Sequence, residues 1–235
     1  MSPASPTRRP ARPAASTTAR NTSRTAASGG ASSSKRLPIA LIAGVALAIG
    51  LIVVIVLTMG SGGKVDDSNE VGTPAVAGTP LPEFDTIQND TALGLAIPEV
   101  TGSDFAGAPV SITLDGRPKV LMFFAHWCGV CQQEVPLITG WLPTATLPGT
   151  LDLISVSTGV NPNAANYPPS LWLEREGWPV PVIRDDASGT VAASFGLSAY
   201  PYFVFVDGDG RVVLRVTGGL PTEAIEQIIT QLTGA

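Results

Sequence analysis

Cys128 and Cys131 are the only cysteines of this 235-residue chain. They follow the apolar run 119–124 directly and begin a segment with the apolar spacing of a helix. At a helix N-terminus, unpaired backbone N–H groups and the helix dipole stabilise an anion, so the thiolate of Cys128 is favoured. Cys131 follows one turn later, close enough to attack a mixed disulfide formed by Cys128. The pattern therefore predicts redox-active thiols.

Two structural interpretations of this pair agree less well with the sequence. A stapling disulfide between Cys128 and Cys131 would close so small a loop that it removes little entropy from the unfolded chain. A zinc site needs four ligands, whereas the sequence offers two cysteines and one histidine, His126. We therefore expect neither a metal nor another cofactor.

Strand and helix patterns alternate around the cysteine pair. We predict strands at 119–124, 151–156 and 180–183, helices at 131–141, 170–176 and 190–195, a hairpin within 202–216, and a closing amphipathic helix at 221–232. This order predicts an α/β fold with a mixed central sheet flanked by helices.

Composition divides the chain into four parts. Residues 1–36 are rich in Ser, Thr, Ala, Pro and Arg, which predicts a disordered basic tail. Residues 37–59 form an uncharged apolar run, long enough for a transmembrane helix. Glycines and prolines in 60–85 indicate a flexible extracytoplasmic linker, and 86–235 has the size of one domain.

The distribution of charge predicts how the chain is oriented in a membrane. Seven of the 14 basic residues lie in the first 36 positions, which contain no Asp or Glu. By the positive-inside rule this tail is cytoplasmic and the domain after Met59 lies on the other side, where thiols can be oxidised. All 19 acidic residues come after position 60, so we expect no nucleic-acid partner.

The segment FFAHWCGVCQQEVP resembles the active site of the thioredoxin superfamily, nearest to its membrane-anchored TlpA, ResA and DsbE-type branch. The resemblance runs from about residue 96 to the end of the chain. It implies a thioredoxin-like fold with an opening hairpin at 98–114 and an inserted strand-helix unit at about 157–181. It also implies dithiol-disulfide exchange with extracytoplasmic proteins and with a membrane or soluble redox partner.

The resemblance further implies a substrate-binding group beside the cysteines. It predicts a cis peptide bond between Tyr200 and Pro201 that faces the cysteines and exposes backbone groups to a docked substrate strand. Tyr200 takes a position that influences partner choice in this family. Trp127 is expected to pack on the active-site surface rather than to react.

Glu134 and His126 are the remaining polar candidates. The branch that this chain resembles carries Glu at the position of Glu134 and uses it to handle protons, whereas thioredoxin has a buried aspartate where this chain has Met122. A simply solvated helix residue is the alternative for Glu134. His126 could bring positive charge to the site or point away from it, and the sequence leaves this open.

Two other functions compete with thiol-disulfide exchange. A thioredoxin-fold peroxidase would carry a threonine-containing motif before its reactive cysteine, but Phe124 to Trp127 fill that space. A non-enzymatic copper chaperone would need a wider cysteine spacing and a distant histidine, and His126 is the only histidine. The direction of exchange and the client protein stay open, because Gly129-Val130 between the cysteines differs from the Gly-Pro of thioredoxin.

Overall fold

A five-stranded mixed sheet is the centre of residues 69–234, the part of the chain that the computed structural model describes. The strands of this part are β1 (Ala75–Ala77), β2 (Glu99–Ser103), β3 (Pro109–Ile112), β4 (Lys119–Phe124), β5 (Asp152–Ser157), β6 (Val182–Arg184), β7 (Tyr202–Val206) and β8 (Val212–Thr217). Its α-helices are α1 (Gly129–Trp141), α2 (Pro169–Arg175), α3 (Thr190–Ser194) and α4 (Thr222–Thr233).

The strand order of the central sheet is β6-β5-β4-β7-β8. Strands β4, β5 and β6 run parallel, whereas β7 pairs antiparallel with both β4 and β8. A smaller antiparallel sheet, in the order β1-β2-β3, contains the predicted opening hairpin as β2 and β3. The chain therefore has a thioredoxin-like α/β fold with a mixed sheet flanked by helices, as predicted.

Strand β4 is buried on both faces, which explains its continuous apolar sequence. Because side chains alternate across a strand, Leu121 and Phe123 enter one hydrophobic core, and Val120, Met122 and Phe124 enter the other. The first core includes side chains from the N-terminal segment, β2, β3 and α3. The second includes side chains from α1, α2 and α4. The strand that leads to the cysteines is thus fixed from both sides.

The segment 69–85 is folded, so the predicted linker at 60–85 is wrong over its described part. Strand β1 pairs with β2 in this segment. Leu81 and Phe84 are buried in the first core, and their N–H groups donate at 2.8 Å to the carbonyls of Ser194, the last residue of α3, and of Gly196 just after it. The domain therefore begins well before residue 86. The glycines and prolines of this segment are typical of a linker. The few apolar residues that fix it in the core are too scattered to form a recognisable pattern.

Glu70 attaches the start of this segment to helix α2. Its side chain is buried, and its carboxylate accepts hydrogen bonds from the Ser170 hydroxyl at 2.7 Å and the Ser170 N–H at 3.0 Å. Asn69 accepts a bond from the Arg184 guanidinium through its carbonyl at 2.8 Å. The first described residues therefore lie against the inserted unit.

The inserted unit follows strand β5. A loop at 158–168 leads to α2 and then to β6, which extends the sheet at its edge. This arrangement agrees with the predicted insertion at about 157–181, and the strand predicted at 180–183 is present as β6 at Val182–Arg184.

The predicted tail and transmembrane helix lie outside the described residues. Among the helices of residues 69–234, none has the length and apolar character needed to cross a membrane.

Candidate active site

Cys128 and Cys131 lie at the start of α1, immediately after the buried strand β4, as predicted. Cys128 is the N-cap residue, and its Sγ accepts a hydrogen bond from the Cys131 N–H at 3.4 Å. Both residues are free thiols. The first turn of the helix therefore directs a backbone donor at the sulfur that would carry negative charge in exchange.

The two thiols have different environments. Cys128 is half-buried, whereas the Cys131 side chain is fully buried in the second core. Burial raises the pKa of Cys131 well above its ordinary value, and its hydrogen bond with Cys128 raises it further. Cys131 therefore keeps its proton until a nearby group accepts it.

Tyr200 and Pro201 bring the start of β7 to the cysteines. The cis peptide bond predicted between them is present. The Cys128 thiol donates to the Tyr200 carbonyl at 3.6 Å. The Pro201 carbonyl instead accepts the Gly218 N–H at 2.8 Å, so that oxygen is engaged within the domain. Of these two carbonyls, the Tyr200 oxygen is the one beside the reactive sulfur.

Trp127 forms an aromatic wall next to Cys128. Its side chain is 41% exposed, although it follows a fully buried strand. The indole packs edge-on against the Tyr200 ring, and its N–H donates to the Gly159 carbonyl at 2.6 Å. An exposed aromatic side chain held in this way is suited to contact a docked protein.

Glu134 is buried at 5% exposure, so the alternative of a solvated helix residue is wrong. One turn along α1 from Cys131, its Oε1 accepts the Leu220 N–H at 2.9 Å. Burial raises the pKa of Glu134, and the Leu220 hydrogen bond acts in the opposite direction. A carboxyl group in this environment can exchange a proton nearer to neutral pH than an ordinary glutamate.

His126 organises the inserted loop instead of facing the thiols. Its ring is buried, with Nδ1 at 2.7 Å from the Ala165 carbonyl, and the Asn161 N–H donates to Nε2 at 3.1 Å. These partners fix the neutral tautomer with the proton on Nδ1. Burial lowers the pKa of His126, which favours the same neutral state. His126 therefore holds the inserted loop in place and adds no positive charge to the site.

Gly159 is a residue of this site that the sequence analysis missed. Its φ is +62°, and a Cβ built at this position would lie 2.8 Å from the Tyr200 hydroxyl. Glycine is therefore required both for the backbone conformation and for space. No local signal marks it, because the contact with Tyr200 joins two distant segments of the chain.

Residues 93–215 match the AhpC/TSA family. Curated relatives are thiol-disulfide proteins. The thiol:disulfide interchange protein HelX of Rhodobacter capsulatus is 26% identical over 118 residues, covering 50% of this chain and 62% of that protein. The thiol-disulfide oxidoreductase ResA of Geobacillus thermodenitrificans is 26% identical, covering 61% of this chain and 80% of ResA.

The thiol:disulfide interchange protein DsbE of Xylella fastidiosa is 28% identical, covering 65% of this chain and 66% of DsbE. The chain thus spans slightly less than two thirds of HelX and of DsbE. Among solved structures, the thioredoxin domain of a Bacteroides vulgatus thiol-disulfide oxidoreductase has a TM-score of 0.49 at 19% identity, covering 60% of this chain and 96% of that one. A secreted Mycobacterium tuberculosis disulfide oxidoreductase has a TM-score of 0.46 at 21% identity, with coverage of 56% and 95%.

Proposed function

Because this chain belongs to the AhpC/TSA family, we propose that it is a membrane-tethered thiol-disulfide oxidoreductase acting on extracytoplasmic proteins through Cys128 and Cys131. One observation carries the proposal. A half-exposed cysteine caps a helix, and a fully buried cysteine donates its backbone N–H to that first sulfur. This arrangement suits a division of labour between a nucleophile and a resolving thiol. The relatives HelX and DsbE are thiol:disulfide interchange proteins and ResA is a thiol-disulfide oxidoreductase, which supports the same chemistry for this chain.

Reduction of a client disulfide would proceed in two displacements. The Cys128 thiolate attacks one client sulfur, an S–S bond forms between them, and the other client sulfur leaves as a thiolate. Cys131 then loses its proton and attacks the Cys128 sulfur, which releases the second client thiolate and leaves a Cys128–Cys131 disulfide. Two electrons pass to the client disulfide. The reverse sequence oxidises a client dithiol, and a membrane or soluble redox partner restores the starting form.

Glu134 is our candidate for the proton of Cys131. The buried thiol must lose its proton before the second displacement, and it lies one turn before Glu134 on the same helix. A buried carboxylate is a stronger base than an exposed one, because burial disfavours its charged form. We expect Glu134→Gln to slow exchange by about a hundredfold or more, the lower range for general acid-base catalysis.

Trp127, Tyr200 and Pro201 are our candidates for substrate binding. The exposed Trp127 indole and the Tyr200 carbonyl border Cys128 on one side. A client segment that reaches the sulfur from this side would contact these groups. Pro201 contributes by fixing the backbone next to Tyr200, since its own carbonyl is bonded to Gly218.

The membrane tether is supported by the uncharged run at 37–59 and by the basic residues that precede it. We expect the N-terminal tail in the cytoplasm and the domain outside it. Protease added to intact spheroplasts that produce the full chain should digest the domain and spare the tail. Digestion of the tail with protection of the domain would reverse this topology.

Trapping of covalent intermediates tests the exchange reaction directly. The full chain, in detergent, is mixed with a disulfide-containing protein, and adducts are resolved without reductant. Cys131→Ser should accumulate a mixed disulfide through Cys128, whereas Cys128→Ser should form none and lose exchange activity. Equal adducts with both variants would contradict the assignment. Rapid peroxide consumption without exchange would favour a peroxidase, and retained copper without exchange would favour a copper chaperone.

A further inference from the structure

The connection between β8 and α4 contacts two parts of the proposed active site. Its first glycine, Gly218, donates its N–H to the Pro201 carbonyl at 2.8 Å. Two residues later, Leu220 donates its N–H to Glu134 Oε1 at 2.9 Å. One short connection therefore holds both the buried carboxyl group and the backbone beside Tyr200.

Gly219 lies between these two donors and approaches the Glu134 carboxylate closely. A Cβ built on Gly219 would lie 3.0 Å from Glu134 Oε2 and 3.6 Å from Val130 Cγ1. Gly218 has a φ of +86°, so a side chain there would strain the backbone. The φ of Gly219 lies outside the left-handed region, so its backbone does not require glycine. What favours glycine at this position is the Glu134 carboxylate, which a Cβ on residue 219 would push away by a few tenths of an ångström.

We propose that Gly219 is a positioning residue for the exchange reaction, because its missing side chain lets Glu134 seat its carboxylate on the Leu220 N–H. The inference rests on the proposed function, and specifically on the role of Glu134 as the proton acceptor. It adds a residue that the family resemblance did not supply. Gly219 lies between Gly218 and Leu220, whose N–H groups bond to the Pro201 carbonyl and to the Glu134 carboxylate.

The expected effect of a side chain at 219 follows from the forces on Glu134. The carboxyl group shares its helix face with the Cys131 thiol, and it meets the backbone of Gly219 and the Leu220 N–H from the connection. Burial raises its pKa, and the Leu220 hydrogen bond lowers it. A methyl group that displaces the carboxylate weakens the second effect. The Glu134 pKa should therefore rise further, and the limb of the rate profile that it controls should move to higher pH.

A double-mutant cycle tests the proposal on the full chain in detergent. Exchange with a model disulfide is measured against pH for the wild type, Gly219→Ala, Glu134→Gln and the double variant. Gly140→Ala is the control, because Gly140 lies on α1 itself, exposed in its last turn, and its added Cβ would meet nothing within 4 Å. We expect Gly219→Ala to slow exchange roughly fivefold, the ratio for one lost hydrogen bond, and to shift the profile. In the Glu134→Gln background it should add nothing.

Several outcomes would overturn the inference. Behaviour of Gly219→Ala like that of Gly140→Ala, or equal slowing in the Glu134→Gln background, would make Gly219 an ordinary loop residue while leaving the proposed exchange reaction intact. An unchanged rate in Glu134→Gln would remove the role of Glu134 and this inference with it, and cysteine trapping would still test exchange separately. If Gly219→Ala fails to fold, the test is the NMR chemical shift of the Leu220 amide proton in the wild type, measured against pH. The chemical shift of this proton should change with pH as Glu134 titrates. A chemical shift that does not change with pH would refute the hydrogen bond between Leu220 and Glu134 on which the inference depends.

Discussion

The Trp127 indole stands edge-on to the Tyr200 ring, with centroids 5.6 Å apart and planes at 82°. Its N–H is donated to the Gly159 carbonyl at 2.6 Å. The residue before the first cysteine is thereby joined to the residue before the cis-proline and to the inserted loop. Three distant segments of the chain thus form one wall beside Cys128, and this wall yields two predictions.

Trp127→Phe should weaken the binding of protein clients more than it slows the chemical step. Phenylalanine keeps an apolar ring but loses the N–H that holds the indole on Gly159, at a cost of about 1 kcal/mol. We expect KM for a protein disulfide to rise roughly fivefold with kcat little changed. Exchange with a small disulfide serves as the control, since it should be almost unaffected. Equal losses for both substrates would contradict a docking role.

Gly159→Ala should destabilise the domain and slow exchange. Its Cβ would lie 2.8 Å from the Tyr200 hydroxyl, and its φ of +62° disfavours a side chain. We expect a loss of about 1–3 kcal/mol in the free energy of unfolding, measured by urea denaturation. Adding Tyr200→Phe should restore part of the loss, because it removes the clashing oxygen. If Tyr200→Phe restores no stability, the whole loss in the free energy of unfolding comes from the backbone conformation at residue 159.

Glu134→Gln should make the domain more stable at neutral pH while it slows exchange. The folded state raises the Glu134 pKa, so it retains a proton that the unfolded state has already lost. Stability from this group is therefore lost as pH rises from the unfolded value of about 4.3 through the folded one. Glutamine cannot ionise and avoids that loss. Unfolding curves should separate at neutral pH and converge in acid, and a variant that is less stable at neutral pH would refute the argument.

Mild acid should loosen the inserted loop through His126. Its pKa is lowered in the folded state, so protonation stabilises the unfolded state more as pH falls below about 6.5. Protonated Nε2 can no longer accept the Asn161 N–H. Hydrogen exchange at the Asn161 amide, corrected for its intrinsic rate, should lose protection as pH falls. His126→Gln provides the comparison that lacks this titration, and matching pH dependence in both proteins would count against His126.

Removal of residues 69–85 should destabilise the domain. A chain that starts at residue 86 loses the burial of Leu81 and Phe84, each worth about 1.5–3 kcal/mol, and the bonds between Glu70 and Ser170. We expect its free energy of unfolding to be at least about 3 kcal/mol below that of a chain starting at residue 69. Coincident denaturation curves would return this segment to the status of a linker.

The sequence was most informative where function depends on local order. The buried run at 119–124, the placement of Cys128 at a helix N-terminus and the hairpin around Asp207 to Gly210 are all present as predicted. Each depends on periodicity or turn chemistry within a few residues of itself. The resemblance then supplied Glu134 and the cis bond at Tyr200–Pro201, which local patterns alone do not reveal.

The sequence was least informative where a contact joins distant segments. Strand β1 is only three residues long and gains its partner from β2. The buried ring of His126 is held by hydrogen bonds with Asn161 and Ala165. Both residues are more than 30 positions away, and no sequence pattern connects them to His126. The bond from Leu220 to Glu134 uses a backbone N–H, which every residue except proline possesses. The identity of the side chain at position 220 therefore does not predict this hydrogen bond.

If the proposed span at 37–59 anchors the chain, the folding of residues 69–85 limits the distance between the active site and the membrane. With the proposed span ending at Met59, only residues 60–68 lie between it and the described domain. An extended chain covers at most about 3.6 Å per residue, so nine residues could span at most about 32 Å, roughly one domain diameter. The predicted linker of 60–85 would have reached nearly three times as far. Cys128 would therefore stay close to the bilayer. Its effective concentration would be high toward clients held in the same membrane, whereas clients that diffuse freely would meet it less often.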